Sequence, residues 1–119
     1  MRILVVDDDD DMTELIGGFL AHRGWTVDTA STVEDARRAL RDAEYHVLVT
    51  DLHLPDGLGM SLLEPSPPAY LCAAILLTGG RDELVRRRSE ALGFRKCLVK
   101  PQSGSDLVEA ILSVTSEVP

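Results

Sequence analysis

Short apolar runs alternate with amphipathic stretches along the whole chain, and the alternation predicts five strand–helix units. Ile3 to Val6, Val47 to Val49, Ala73 to Leu77 and Cys97 to Val99 are continuously apolar, as expected of strands covered on both faces. Trp25 to Thr29 instead alternates large apolar with polar residues, which predicts an edge strand with one wet face.

The stretches between them carry helical spacing. In the first helix Met12, Leu15, Ile16 and Phe19 form the apolar stripe, with Asp10 as the N-cap. The second covers residues 31–43; Ser31 and Glu34 stand at capping-box spacing, and Val33, Ala36 and Leu40 form its stripe. The third is limited to about two turns before Pro65, Pro67 and Pro68, since proline inside a helix removes a bond and clashes with the preceding turn. The fourth spans 82–91. The last begins near Ser103, with Leu107, Val108, Ile111, Leu112 and Thr115 on one side, and about 113–119 is expected to be a tail or the start of a linker.

Strands alternating with helices imply one α/β domain over 1–119: a doubly wound parallel sheet with helices on both faces. With Trp25 to Thr29 at the edge, the strand order is 2-1-3-4-5. Ligands in such sheets sit beyond the carboxyl ends of the strands, where the order reverses between the first and third.

Composition narrows the classes. Of 119 residues, 45% are hydrophobic, enough for one real core. The formal charge of −8 argues against a basic surface, so direct nucleic-acid binding is not expected. No apolar run approaches the roughly 20 residues that cross a bilayer. The opening residues also lack the long apolar centre of a secretory signal. No membrane contact and a cytoplasmic location are expected. Cys72 and Cys97 are expected to be two buried thiols.

The candidate chemistry lies at the strand ends. The first strand runs into Asp7 and Asp8, the third ends at Thr50 and Asp51, the fourth at Thr78 before Gly79 and Gly80, and the fifth at Lys100 before Pro101. Three carboxylates, a hydroxyl and an ammonium therefore converge on one rim. Crowded carboxylates raise each other's pKa or recruit a cation, and oxygen-only ligands favour a hard ion such as Mg²⁺. A metal, Lys100 and Thr78 together suit a phosphoryl group. Asp9, Asp10 and Asp11 are expected to be a solvated helix start. The run is not an EF-hand, because its sixth residue is Met12 and its twelfth Gly18. His22 and His46 are expected at the surface. Arg86, Arg87 and Arg88 point in different directions on a helix and are expected to form a solvated face.

The stretches "ILVVDDD", "LVTDLHLPDGLGM", "ILLTGG" and "CLVKP" stand in that order at the strand ends. Spacings are 43 from Asp8 to Asp51, 27 to Thr78 and 22 to Lys100. In this the chain resembles the receiver domains of two-component response regulators, chemotaxis-receiver-like and flavodoxin-like (βα)5 in fold. The resemblance implies that Asp51 accepts a phosphoryl group from a phosphohistidine, on a sensor histidine kinase or a histidine phosphotransfer protein. It implies Mg²⁺ as cofactor, held by Asp8 directly, Asp7 mainly through water, Asp51, and the backbone carbonyl of His53. Thr78 moves toward the phosphoryl group, Lys100 pairs with it, and Pro101 follows a cis peptide bond.

Phosphorylation adds roughly 1.5 to 2 negative charges. By the resemblance it shifts the fourth helix, fifth strand and fifth helix, the face offered to an output domain, a downstream protein or a second copy in a homodimer. The chain is then a switch and not a turnover enzyme; an aspartate-nucleophile phosphatase commonly carries a second aspartate where His53 stands. Two departures qualify the picture. Cys97 occupies the usual place of an inward-turning aromatic ring, with Phe94 nearby, so a second reading is a constitutive docking domain with a weakened switch. Gly80 leaves one of the two positions that tune hydrolysis, His53 being the other, without a side chain.

Overall fold

The computed structural model describes residues 1–115. Strand β1 (Arg2–Val6) leads into helix α1 (Asp10–His22), and β2 (Thr26–Ala30) into α2 (Val33–Asp42). Strand β3 (Val47–Asp51) is followed by a small antiparallel hairpin, β4 (His53–Leu54) with β5 (Gly57–Leu58), and a 3-10 turn over Gly59–Leu63. Then come β6 (Ala73–Thr78), α3 (Glu83–Leu92), β7 (Lys96–Val99) and α4 (Gly104–Thr115). The main sheet is parallel in the order β2-β1-β3-β6-β7. This is the predicted order 2-1-3-4-5, with the hairpin set apart.

Successive residues of a strand point to opposite faces, and the core divides accordingly. Leu4, Val6, Leu48, Ala74 and Leu76 meet α2, the 3-10 turn and Phe94 on one side. Ile3, Val5, Val47, Val49, Ile75 and Leu77 meet α1 and α4 on the other. Both faces of β1, β3 and β6 are thus covered, which is why those runs are continuously apolar.

Several local expectations are corrected. The cap of α1 is Asp9, which accepts from the Met12 N–H, and not Asp10. The cap of α2 is Thr32, which accepts from the Asp35 N–H, and not Ser31. Helix α1 buries Thr13, Ile16 and Leu20, while Leu15 is 72% exposed and Phe19 45%. Helix α4 buries Leu107, Val108, Ala110, Ile111 and Val114, leaving Leu112 exposed. It continues to Thr115, so 113–115 are helical, and the rest of the expected tail lies outside the described residues. The Cys97–Val99 run is half-buried, because β7 forms an edge. Cys72 and Cys97 are free and half-buried.

The prolines act as expected. The 3-10 turn stops at Leu63, Glu64–Pro65 is cis, and an irregular segment leads to β6. The Tyr70 hydroxyl donates to the Leu40 carbonyl and ties that segment to the end of α2.

Candidate functional site

The parallel register brings the strand ends to one rim. Val6 is level with Thr50, Asp51 with Leu77, and Thr78 with Val99. The residues just beyond these positions therefore share a single edge of the sheet. Asp7, Asp8 and Asp51 offer carboxylate oxygens that all lie within 4.8 Å of one another. Asp7 is 2% exposed, Asp51 half-buried and Asp8 exposed. The cluster is anchored at its back and open at its front.

Lys100 compensates it. Its ammonium lies 2.9 Å from Asp7 Oδ2 and 3.2 Å from Asp51 Oδ2. Burial alone lowers the pKa of such an ammonium; the hydrogen bonds to Asp7 and then Asp51 outweigh that, and the net shift is upward. One cation thus faces three carboxylates, and the remaining negative charge is what a divalent ion would neutralise. The donor set is oxygen-only and stays partly open to water, which fits Mg²⁺.

Thr78 sits on the same edge, 6% exposed, with its hydroxyl engaged by the Gly80 carbonyl at 3.3 Å. The Lys100 N–H donates to the Thr78 carbonyl at 2.8 Å, which ties the ends of β6 and β7 together. The Lys100–Pro101 bond is cis. His53 opens the hairpin two residues past Asp51, with its side chain exposed. Beside Thr78, between the start of α3 and β7, runs an open groove of about 660 Å³ walled by Cys97, Val99 and Gln102. Phe94 is buried in the core on the α2 side and does not line that groove.

Two residues at the site escape sequence reasoning. Gly59 donates to the Leu52 carbonyl at 2.7 Å and lies against the Asp51 backbone. Asp56 reaches the start of α2. "PDG" reads only as a turn, and no local signal names the helix that Asp56 caps.

Comparison with known proteins adds the family. The response regulator receiver domain matches residues 3–112. The chain belongs to that family. The transcriptional regulatory protein GltR of Pseudomonas aeruginosa is 36% identical over 112 residues, 92% of this chain and 46% of the relative. The chain thus spans about half the length of the curated relatives it matches. A chemotaxis-type receiver domain from Methanospirillum hungatei superposes with TM-score 0.90 at 27% identity, covering 98% of this chain and 94% of that one. A response regulator from Burkholderia pseudomallei, whose structure carries a phosphorylated aspartic acid and a calcium ion, gives TM-score 0.84 at 26% identity, covering 98% and 69%. Switching by phosphorylation is typical of receiver domains, and nothing observed favours a constitutive docking domain.

As for the other expectations, Asp9, Asp10, Asp11, His22 and His46 are exposed. Arg86, Arg87 and Arg88 are exposed, and the first two pair with Glu83. Among the described residues, no helix is long and apolar enough to cross a membrane.

Proposed function

We propose that Asp51 is the phosphoacceptor and that this receiver works as a Mg²⁺-dependent switch. The observation that carries the reading is the three-carboxylate cluster with Lys100 bridging Asp7 and Asp51. An Asp51 carboxylate oxygen attacks the phosphorus of a phosphohistidine. The P–N bond breaks, its electron pair stays on the imidazole, and that nitrogen takes a proton from water. Asp51 becomes an aspartyl phosphate.

Asp7, Asp8, Asp51 and the His53 carbonyl are the proposed holders of Mg²⁺. When bound, the ion offsets the charge of the phosphoryl oxygens. Lys100 contributes a second positive charge, and it is freed to do so as Asp51 changes partner. Thr78 donates its hydroxyl to a phosphoryl oxygen after leaving Gly80. The added charge at Asp51 then draws the Thr78 and Lys100 loops inward and shifts the face made by α3, β7 and α4.

The phosphodonor is a sensor histidine kinase or a histidine phosphotransfer protein. The shifted face serves an output domain, a downstream protein or a second copy of the chain. In this reading the chain is a stoichiometric phosphoacceptor and not a turnover enzyme, working in the cytoplasm as is typical of the family. It contacts nucleic acid only through whatever it regulates. Support for an output domain comes from the relatives, transcriptional regulators about twice as long.

Intact-mass measurement after incubation with acetyl phosphate and Mg²⁺ tests this. The expected result is a gain of one phosphoryl group that vanishes in Asp51→Asn or with EDTA. A gain that persists in Asp51→Asn would overturn the assignment.

A further inference from the structure

An α-helix leaves its first four N–H groups without intrahelical partners. In α2 the N–H groups of the first three residues are all met by side chains, and from two directions. Thr32 Oγ1 takes the Asp35 N–H at 3.0 Å, and regular helix bonding begins with Ala36 N–H on the Thr32 carbonyl at 3.0 Å. The first two go to a residue more than twenty positions away: Asp56 accepts Val33 N–H at 2.7 Å and Glu34 N–H at 3.0 Å, one on each carboxylate oxygen.

Asp56 sits at the tip of the β4–β5 hairpin, between the paired residues Leu54 and Gly57. The foot of the same hairpin is fixed to the sheet. Leu52 N–H donates to the Leu77 carbonyl at 2.9 Å, and Gly59 N–H to the Leu52 carbonyl at 2.7 Å. Gly57, at φ 154°, brings its α-carbon close enough that a β-carbon there would touch Val33 Cγ2 at 3.6 Å. Arg37 on α2 adds a bond to the Ser61 carbonyl at 2.7 Å, in the 3-10 turn that follows the hairpin. The segment that carries His53 is thus held at its foot by β6 and at its tip by α2. The helix N–H groups, Val33 first and then Glu34, hold the Asp56 carboxyl below its ordinary range.

We infer that Asp56 is a positioning residue for the phosphoacceptor site: by seating the hairpin tip on the N-terminus of α2, it fixes the segment that bears His53 and so sets the affinity of the acid cluster for a divalent cation. This rests on the reading of that cluster as the Mg²⁺ site. A carboxylate on two backbone N–H groups at a helix N-terminus is favoured by both hydrogen bonding and the helix dipole. Its loss unseats the hairpin tip from the helix N-terminus and leaves the foot and the Arg37–Ser61 bond as the hydrogen-bonded ties described above. Outer supports of metal sites typically change affinity by one to two orders of magnitude. Asp56 acts through a backbone segment, which puts its effect at the low end.

The test is calorimetric titration of Mg²⁺ into the wild-type chain and into Asp56→Ala, Asp56→Asn and Thr32→Ala, with thermal melts of each in EDTA. Thr32→Ala removes the other side-chain cap of the same helix and leaves the hairpin tie intact. Expected are a roughly tenfold weaker Mg²⁺ affinity in Asp56→Ala, a smaller loss in Asp56→Asn, which keeps one acceptor, and wild-type affinity in Thr32→Ala despite a lower melting temperature. Asp56→Asn carries the comparison if Asp56→Ala does not fold. Wild-type affinity in the Asp56 variants, or an equal loss in Thr32→Ala, overturns the inference alone. A wild-type chain that takes up no Mg²⁺ overturns the metal reading and the inference with it.

Discussion

Gly59 is pressed against Asp51: a β-carbon at Gly59 would stand 1.9 Å from the Asp51 carbonyl oxygen and 2.5 Å from Thr50 Oγ1. Backbone is on the other side of the closer contact, so no side chain can rotate away. Overpacking a rigid site costs about 1–3 kcal/mol, occasionally more, and here the strain falls on Asp51, the proposed phosphoacceptor. Gly59→Ala is expected to lose about 3 kcal/mol in urea unfolding and to slow phosphorylation by acetyl phosphate. Wild-type stability would show that the 3-10 turn can retreat freely.

Gly18 gives the opposite outcome. It lies inside α1, and nothing stands within 4 Å of where its β-carbon would be. Gly18→Ala is expected to stabilise the chain by about 0.5–1 kcal/mol, because alanine loses less backbone freedom in a helix. The same unfolding experiment reads both signs.

Lys100 is the protein's own counter-charge for Asp7 and Asp51. Hydrogen bonds to charged partners contribute about 1.5–3 kcal/mol. The Lys100 side chain remains 28% exposed, so water screens part of this. In EDTA, Lys100→Ala is expected to lower stability by about 1–2 kcal/mol. Millimolar Mg²⁺ is expected to stabilise Lys100→Ala more than wild type, since the ion meets carboxylates no longer paired. An equal or smaller gain in the variant would contradict the compensation argument.

Most of the layer structure is legible because β1, β3 and β6 are apolar on both faces and sit between amphipathic helices. The strand-end residues are legible for the same reason: a parallel sheet delivers all carboxyl ends to one edge. What escapes is what periodicity leaves degenerate. In α1 the stripe through Leu15 and Phe19 fits helical spacing as well as the one through Thr13, Ile16 and Leu20. Thr13 can be buried because its hydroxyl donates to the Asp10 carbonyl. Five consecutive aspartates likewise offer several caps of equal quality, and backbone geometry selects Asp9. The Asp56 bonds join segments 23 and 22 positions apart, beyond any local rule.

At the far end of the sheet, Tyr45 donates to Asp28 Oδ2 at 2.7 Å, and Arg2 forms a salt bridge with the same carboxylate at 2.8 Å. Burial, and next the Asp28 bond, push the Tyr45 phenol up to about 12. Tyr70 is also raised, by burial and then by Glu44. The folded state therefore holds the Tyr45 proton more tightly than the unfolded chain, whose phenol titrates near 10. That contribution is complete below pH 10 and is lost as pH rises toward 12. Absorbance at 295 nm is expected to show little tyrosinate at pH 10 while the chain stays folded. Half the total signal by pH 10 would contradict the burial and bonding of the Tyr45 phenol.

Asp7, Asp8, Asp51 and Lys100 are proposed to form one site for a divalent ion and a phosphoryl group. A crystal structure of the chain with Mg²⁺ and beryllofluoride tests it most directly. Expected are beryllofluoride on an Asp51 carboxylate oxygen, the ion among Asp7, Asp8 and Asp51, and Lys100 turned from Asp7 toward the fluorides. Beryllofluoride on a different residue, or an ion bound away from the three aspartates, would contradict it.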